Sequence, residues 1–163
     1  MFDTEAIKNM ETTSSGDVNY VPIPESTDGN GWRAVIQAFD LTERQNDKIN
    51  DGKPFLELSV EYLFDEEKLR EVMQREEVKM KHNLILDIVQ DGNGNITGLD
   101  MTAGKNVQLN RLRSATNLNE EGKPFKFSML VGKALRVWPQ HTPRKDGEGV
   151  YVNVGKVGPV NPK

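Results

Sequence analysis

Cysteine is absent from the 163 residues, which excludes disulfides, thiolate metal sites and cysteine nucleophiles, and the composition suits a reducing cytoplasm. Imidazole is almost as scarce: His82 and His141 are the only histidines and stand far apart in the chain without a ligand cluster. No run approaches the roughly 18 apolar residues of a membrane helix. The start, Met1-Phe2-Asp3-Thr4-Glu5, lacks the basic and apolar regions of a signal peptide. A soluble cytoplasmic protein with no membrane partner is the expectation. There is no P-loop, nucleophile elbow or His-Glu-x-x-His segment. The paired carboxylates Glu66-Glu67 and Glu76-Glu77 have no histidine nearby and read as a solvated face. Asp91-Gly92-Asn93-Gly94-Asn95 has the look of a calcium loop but carries Thr102 where the twelfth-position glutamate belongs. Neither a metal, nor another cofactor, nor an enzyme is expected.

What the sequence does have is an uneven distribution of charge beneath a net value of −4. Residues 1–30 hold one Lys against six acids, whereas residues 79–163 hold thirteen Lys and Arg against seven Asp and Glu. A basic module behind acidic segments is a better guide to a polyanionic partner than the total.

Residues 1–30 are rich in Ser, Thr, Gly, Asp and Pro and poor in large apolar side chains, and are read as an acidic, flexible arm. The remainder, 31–163, is read as one domain. Strands are expected at Trp32–Phe39, at Phe55–Phe64, where apolar and polar residues alternate, and at Lys79–Val89. A surface helix is expected within 65–77, with Leu69, Val72 and Met73 at i, i+3 and i+4. Asn106 reads as the N-cap of a second helix that buries Leu109 and Leu112. Phe127–Gly132 reads as one helical turn, and Lys133–Gln140 and Val150–Val157 are expected to close the chain as a hairpin. Five strands with a helix between the third and fourth is the element order of an OB-fold, a five-stranded Greek-key barrel whose face binds oligonucleotides. The expected class is therefore mainly β, an OB-fold-like barrel with one or two short helices.

Four blocks in the second half sharpen this reading: Gly104-Lys105-Asn106-Val107-Gln108-Leu109-Asn110-Arg111-Leu112-Arg113, Gly122-Lys123-Pro124-Phe125, Ser128-Met129-Leu130-Val131-Gly132, and Tyr151-Val152-Asn153-Val154-Gly155-Lys156-Val157. Together they resemble the single-stranded DNA-binding proteins of tailed bacteriophages, an OB-fold family. The likeness is carried by Lys105 to Val160; before that only strand order agrees, and the helix within 65–77 stands as an insertion. The resemblance implies coating of single strands during phage DNA replication or recombination in the host cytoplasm, with replication or recombination proteins as further partners. Oligomeric state is left open, a homodimer included. A phage interaction or scaffold barrel that binds protein rather than nucleic acid is the alternative.

Single strands are held by cations that follow phosphates and by aromatics on which bases stack. Strand alternation puts Arg136 and Trp138 on one face with Val137 opposite, so Trp138 reads either as a stacking platform or as a core residue with Arg136 at its rim. Lys79 and Lys81 share a face of their strand and form a basic stripe, or a solvated outer surface. Arg111 and Arg113 diverge by about 200° on a helix, so one at most faces a bound strand. Lys133, and Arg144 and Lys145 in the last hairpin loop, complete the candidate cations. Tyr151 and Trp32 are second-rank stackers, also read as half core.

Overall fold

The computed structural model describes residues 22–26, 28–145, 147 and 149–161. The elements are β1 (Trp32–Arg44), β2 (Phe55–Phe64), α1 (Glu67–Met73), β3 (Lys79–Leu86), β4 (Ile88–Gln90), β5 (Ile96–Leu99), α2 (Val107–Ala115), β6 (Ala134–Pro143) and β7 (Val150–Gly158). Single 3-10 turns occupy Asn50–Gly52 and Phe127–Leu130. β1, β2, β3, β6 and β7 form one antiparallel sheet in the order β3-β2-β1-β6-β7, and β4 and β5 form a separate hairpin.

Alternation decides the inward face. Ala34 and Ile36 of β1, Leu58, Val60, Tyr62 and Phe64 of β2, Leu84 and Leu86 of β3, and Leu135 and Val137 of β6 are all buried. Leu109 and Leu112 of α2 and Leu69 and Met73 of α1 complete one core. In α1 the i, i+4 pair turns inward while Val72 is exposed, so its expected apolar face is narrower than the sequence suggests. A bulge at Gln37 interrupts the pairing of β1 with β2, and a second at Gly155 interrupts that of β7 with β6; each bends its strand and steepens the twist. The sheet curls until α2 packs on both edge strands, β7 and β3. Among the described residues no backbone hydrogen bond joins those two edges, so the ladder stays open where a barrel would close.

Two expectations are corrected. The third strand does not run to Val89 but breaks at Asp87, and the unforeseen β4–β5 hairpin follows. The cause is a reciprocal clasp. Asp87 N–H donates to Asn106 Oδ1 at 2.8 Å, Asn106 N–H donates to Asp87 Oδ2 at 2.7 Å, and Asn106 Nδ2 donates to the carbonyls of Asp87 and Asp100 at 2.8 and 2.9 Å. Asn106 does precede α2, but its buried side chain ties the helix start to the end of β3 and makes no cap bond. It sits at φ 49°, a left-handed conformation that Asn tolerates.

Part of the segment expected as an arm is described. Residues 1–21 and 27 lie outside the described residues, but 22–26 and 28–30 are bound along β6. Trp32 Nε1 donates to the Pro24 carbonyl at 2.8 Å, His141 Nε2 contacts the Ile23 carbonyl at 2.7 Å, and His141 N–H donates to the Glu25 carboxylate at 3.0 Å. Ile23 packs against the core. β1 covers β6 only from Ala134 to Val137, so the next stretch of β6 is open to this segment.

Candidate functional site

Trp138 lies on the sheet face opposite the core, with Gly31, which directly precedes β1, beside it and Gly158 of β7 diagonally across. A Cβ on Gly31 would stand 2.8 Å from the Trp138 ring, and one on Gly158 would stand 3.1 Å from it. The indole thus lies across backbone that only glycine leaves bare, and Gly31 also holds a left-handed φ of 69°. Nε1–H of Trp138 donates to the Gly29 carbonyl at 2.8 Å, fixing the ring's direction in its plane. Lys156, paired with Trp138 in the β6–β7 ladder, holds its ammonium 4.4 Å from the ring centroid. The bulge at Gly155 makes this possible: it shifts β7 by one residue and brings Lys156 alongside Trp138.

Next along the same face, Arg136 stands directly opposite Arg33 of β1. Like charges so placed repel. Arg33 is partly neutralised by Asp65 at 3.4 Å, while among the described residues Arg136 donates to the carbonyls of Val160 at 2.9 Å and Asn30 at 3.4 Å and meets no carboxylate. Arg33, Arg136 and Lys156 around one half-buried indole give a face that favours an anion carrying flat rings.

The other candidates distribute differently. Tyr151 is exposed at the β6–β7 hairpin, with the Arg144 guanidinium 4.6 Å over its ring. Lys145 is exposed in the loop beyond. Lys79 pairs with Glu77 at 3.4 Å and Lys81 sits opposite Glu61, so the basic stripe on β3 is matched by acids. Lys133 is exposed at the start of β6, away from Trp138. Arg111 is exposed on α2, whereas Arg113 stacks on Phe125 at 4.6 Å. Trp32 is 7% exposed, belongs to the core cluster and has its N–H satisfied by the Pro24 carbonyl. Lys156 and Arg33 were not singled out from the sequence. Simple alternation from the start of β1 would have found Arg33, but the bulge hides Lys156.

Inside the curl, the Tyr62 hydroxyl lies 2.8 Å from His82 Nδ1. Burial holds the imidazole down to about 4, from an ordinary 6.5, and pushes the Tyr62 phenol up. A neutral ring accepts the hydroxyl proton at Nδ1. Because the folded value lies below the unfolded one, the unfolded chain takes up this proton first as pH falls. The contribution of His82 is therefore full above about pH 6.5 and is lost progressively from there to about pH 4. At pH 5 the loss should be about 2 kcal/mol. Urea melts at pH 7 and pH 5 should show this drop in the wild type and a shallower one in His82→Gln; equal drops would assign it to other groups.

Among the described residues no three His, Asp or Glu side chains are grouped to hold a metal ion, and no helix is long and apolar enough to cross a membrane. No family model matches this chain, and no curated protein matches it significantly.

Proposed function

We propose that the chain is a non-enzymatic, largely sequence-independent single-stranded DNA-binding protein, and that its curled sheet is an OB-fold-like barrel left open between β3 and β7. The β1–β2–β3 meander, the return of β6 to β1, and the helix lying across the two edge strands support the fold reading.

The observation that carries the functional reading is Trp138, laid over Gly31 and Gly158 beneath a movable ammonium and next to Arg136. A cation over an indole at an exposed site is worth about 0.5–1 kcal/mol, and a base stacked on an aromatic is worth about 1–3 kcal/mol. A base therefore displaces Lys156, whose long side chain then reaches the adjoining phosphate. Every base has a π-face, so recognition of this kind tolerates any sequence. The role in phage DNA replication or recombination rests on the resemblance described above.

Counterion release tests the reading. If three to five cations on this surface meet phosphates, the slope of log affinity against log salt should be about −2 to −3.5, at about −0.7 per contact. Oligo-dT should outbind duplex of equal length, and the preference should survive added salt, since duplex bases are already stacked. Equal affinity for both forms, with all binding lost to salt, would leave only a basic surface. No binding at low salt would favour the alternative, a phage interaction barrel that takes a protein partner.

A further inference from the structure

Three depressions run in series from the Trp138 face around the free edge of β7. The first lies between Trp138, Gln140, Lys156 and Glu25, whose carboxylate accepts the His141 N–H. The second, about 70 Å³, is enclosed by β7, His82 and Arg111, and shares Gly155 and Lys156 with the first. The third is an open cleft of about 590 Å³ between α2, the loop before it and the end of β7, and shares Arg111 and Val157 with the second. Gly158, which bears on the Trp138 ring, also lines it.

The chemistry of this cleft is distinctive. Lys105 and Arg111 line it, neither in an ion pair among the described residues. Met101 and Val107, both exposed, face the same concavity, and no Asp or Glu lines it. The adjoining carboxylate, Asp100, accepts the N–H and hydroxyl of Thr102 at 3.1 and 2.6 Å, and the Lys105 charge acts on it from beyond ion-pair distance, a weaker influence than the Thr102 bonds. Two cations outside any ion pair among the described residues, flanking solvent-facing apolar side chains, suit a nucleotide, whose phosphate takes the charge and whose ring or sugar takes the apolar surface.

We propose that a single strand stacked on Trp138 continues around the edge of β7 and seats its next segment in this cleft, with phosphates on Lys105 and Arg111 and a nucleoside against Met101 and Val107. The inference rests on the single-strand reading and extends it from one stacking platform to a path.

The test compares oligo-dT of about 4 and about 12 nucleotides, within the span that one such fold covers, on the full chain. In Lys105→Ala/Arg111→Ala the 12-mer should lose about tenfold in affinity and its salt slope should shrink by about 1.4, two contacts at about 0.7 each, while the 4-mer is unchanged. Trp138→Ala should weaken both lengths. The charge-keeping double variant Lys105→Arg/Arg111→Lys, which leaves two cations in the cleft, should restore the 12-mer. An unchanged 12-mer in the alanine double variant overturns the path and leaves the platform standing, provided Trp138→Ala still weakens both lengths. Equal weakening of 4-mer and 12-mer also overturns it, because the two cations would then act by general attraction. If wild type binds and Trp138→Ala binds as tightly, the platform falls and the path with it.

Discussion

Trp138→Ala should bind oligo-dT roughly 5- to 150-fold more weakly than wild type, the equivalent of the ~1–3 kcal/mol that one aromatic–base stack contributes. The loss should appear as faster dissociation and persist at high salt, because stacking releases no counterions. Stability should change little by comparison. The ring lies on the face away from the core, its surroundings are glycine backbone, and its N–H partner, the Gly29 carbonyl, is solvent-exposed and takes water once the ring is gone. Trp138→Phe, which keeps a π-face, should recover part of the affinity. Fluorescence anisotropy of a labelled oligonucleotide, beside thermal melts of the three proteins, separates the cases. A folded alanine variant that binds within twofold of wild type removes Trp138 from the interface. One that binds weakly only because it has partly unfolded makes Trp138 a structural residue.

How much of this site could be read from the sequence follows from which interactions are local. Alternation is local, and it gave β2 and the opposition of Arg136 and Trp138 to Val137 without any tertiary information. The partners that make Trp138 a platform are not local. Gly31 and Gly158 come from the two ends of the domain, and Lys156 reaches the ring only because an extra residue at Gly155 puts β7 back in phase with β6. A bulge has no periodic signature. Trp32 shows the same limit from the other side. An indole at the start of a strand is equally suited to core or surface; here it packs in the core, and the acceptor that lets its N–H be buried is a carbonyl eight residues upstream. The clasp between Asp87 and Asn106 joins residues 19 apart, so nothing near Leu86 announced the end of β3 there.

Residues 22–30, before β1, carry contacts that composition does not reveal, and removing them should have the larger effect on stability. Their few apolar residues read as an arm because composition counts apolar area and overlooks backbone carbonyls. Here the carbonyls do much of the binding: those of Ile23, Pro24, Gly29 and Asn30 meet His141, Trp32, Trp138 and Arg136. A chain starting at residue 31 leaves the N–H of the buried Trp32 ring without its acceptor, at a cost of about 1–3 kcal/mol. It also uncovers the core surface that Ile23 shields, another ~1 kcal/mol or more. Relative to a chain starting at residue 22, it should be less stable by about 3 kcal/mol and melt roughly 10 °C lower. Single-strand affinity should fall as well, since Trp138 and Arg136 lose the carbonyls that aim them. The comparison between the two truncations isolates residues 22–30 and makes no demand on residues 1–21. If both truncated chains melt together and bind alike, this segment contributes nothing to the domain, and the boundary belongs at the start of β1 after all.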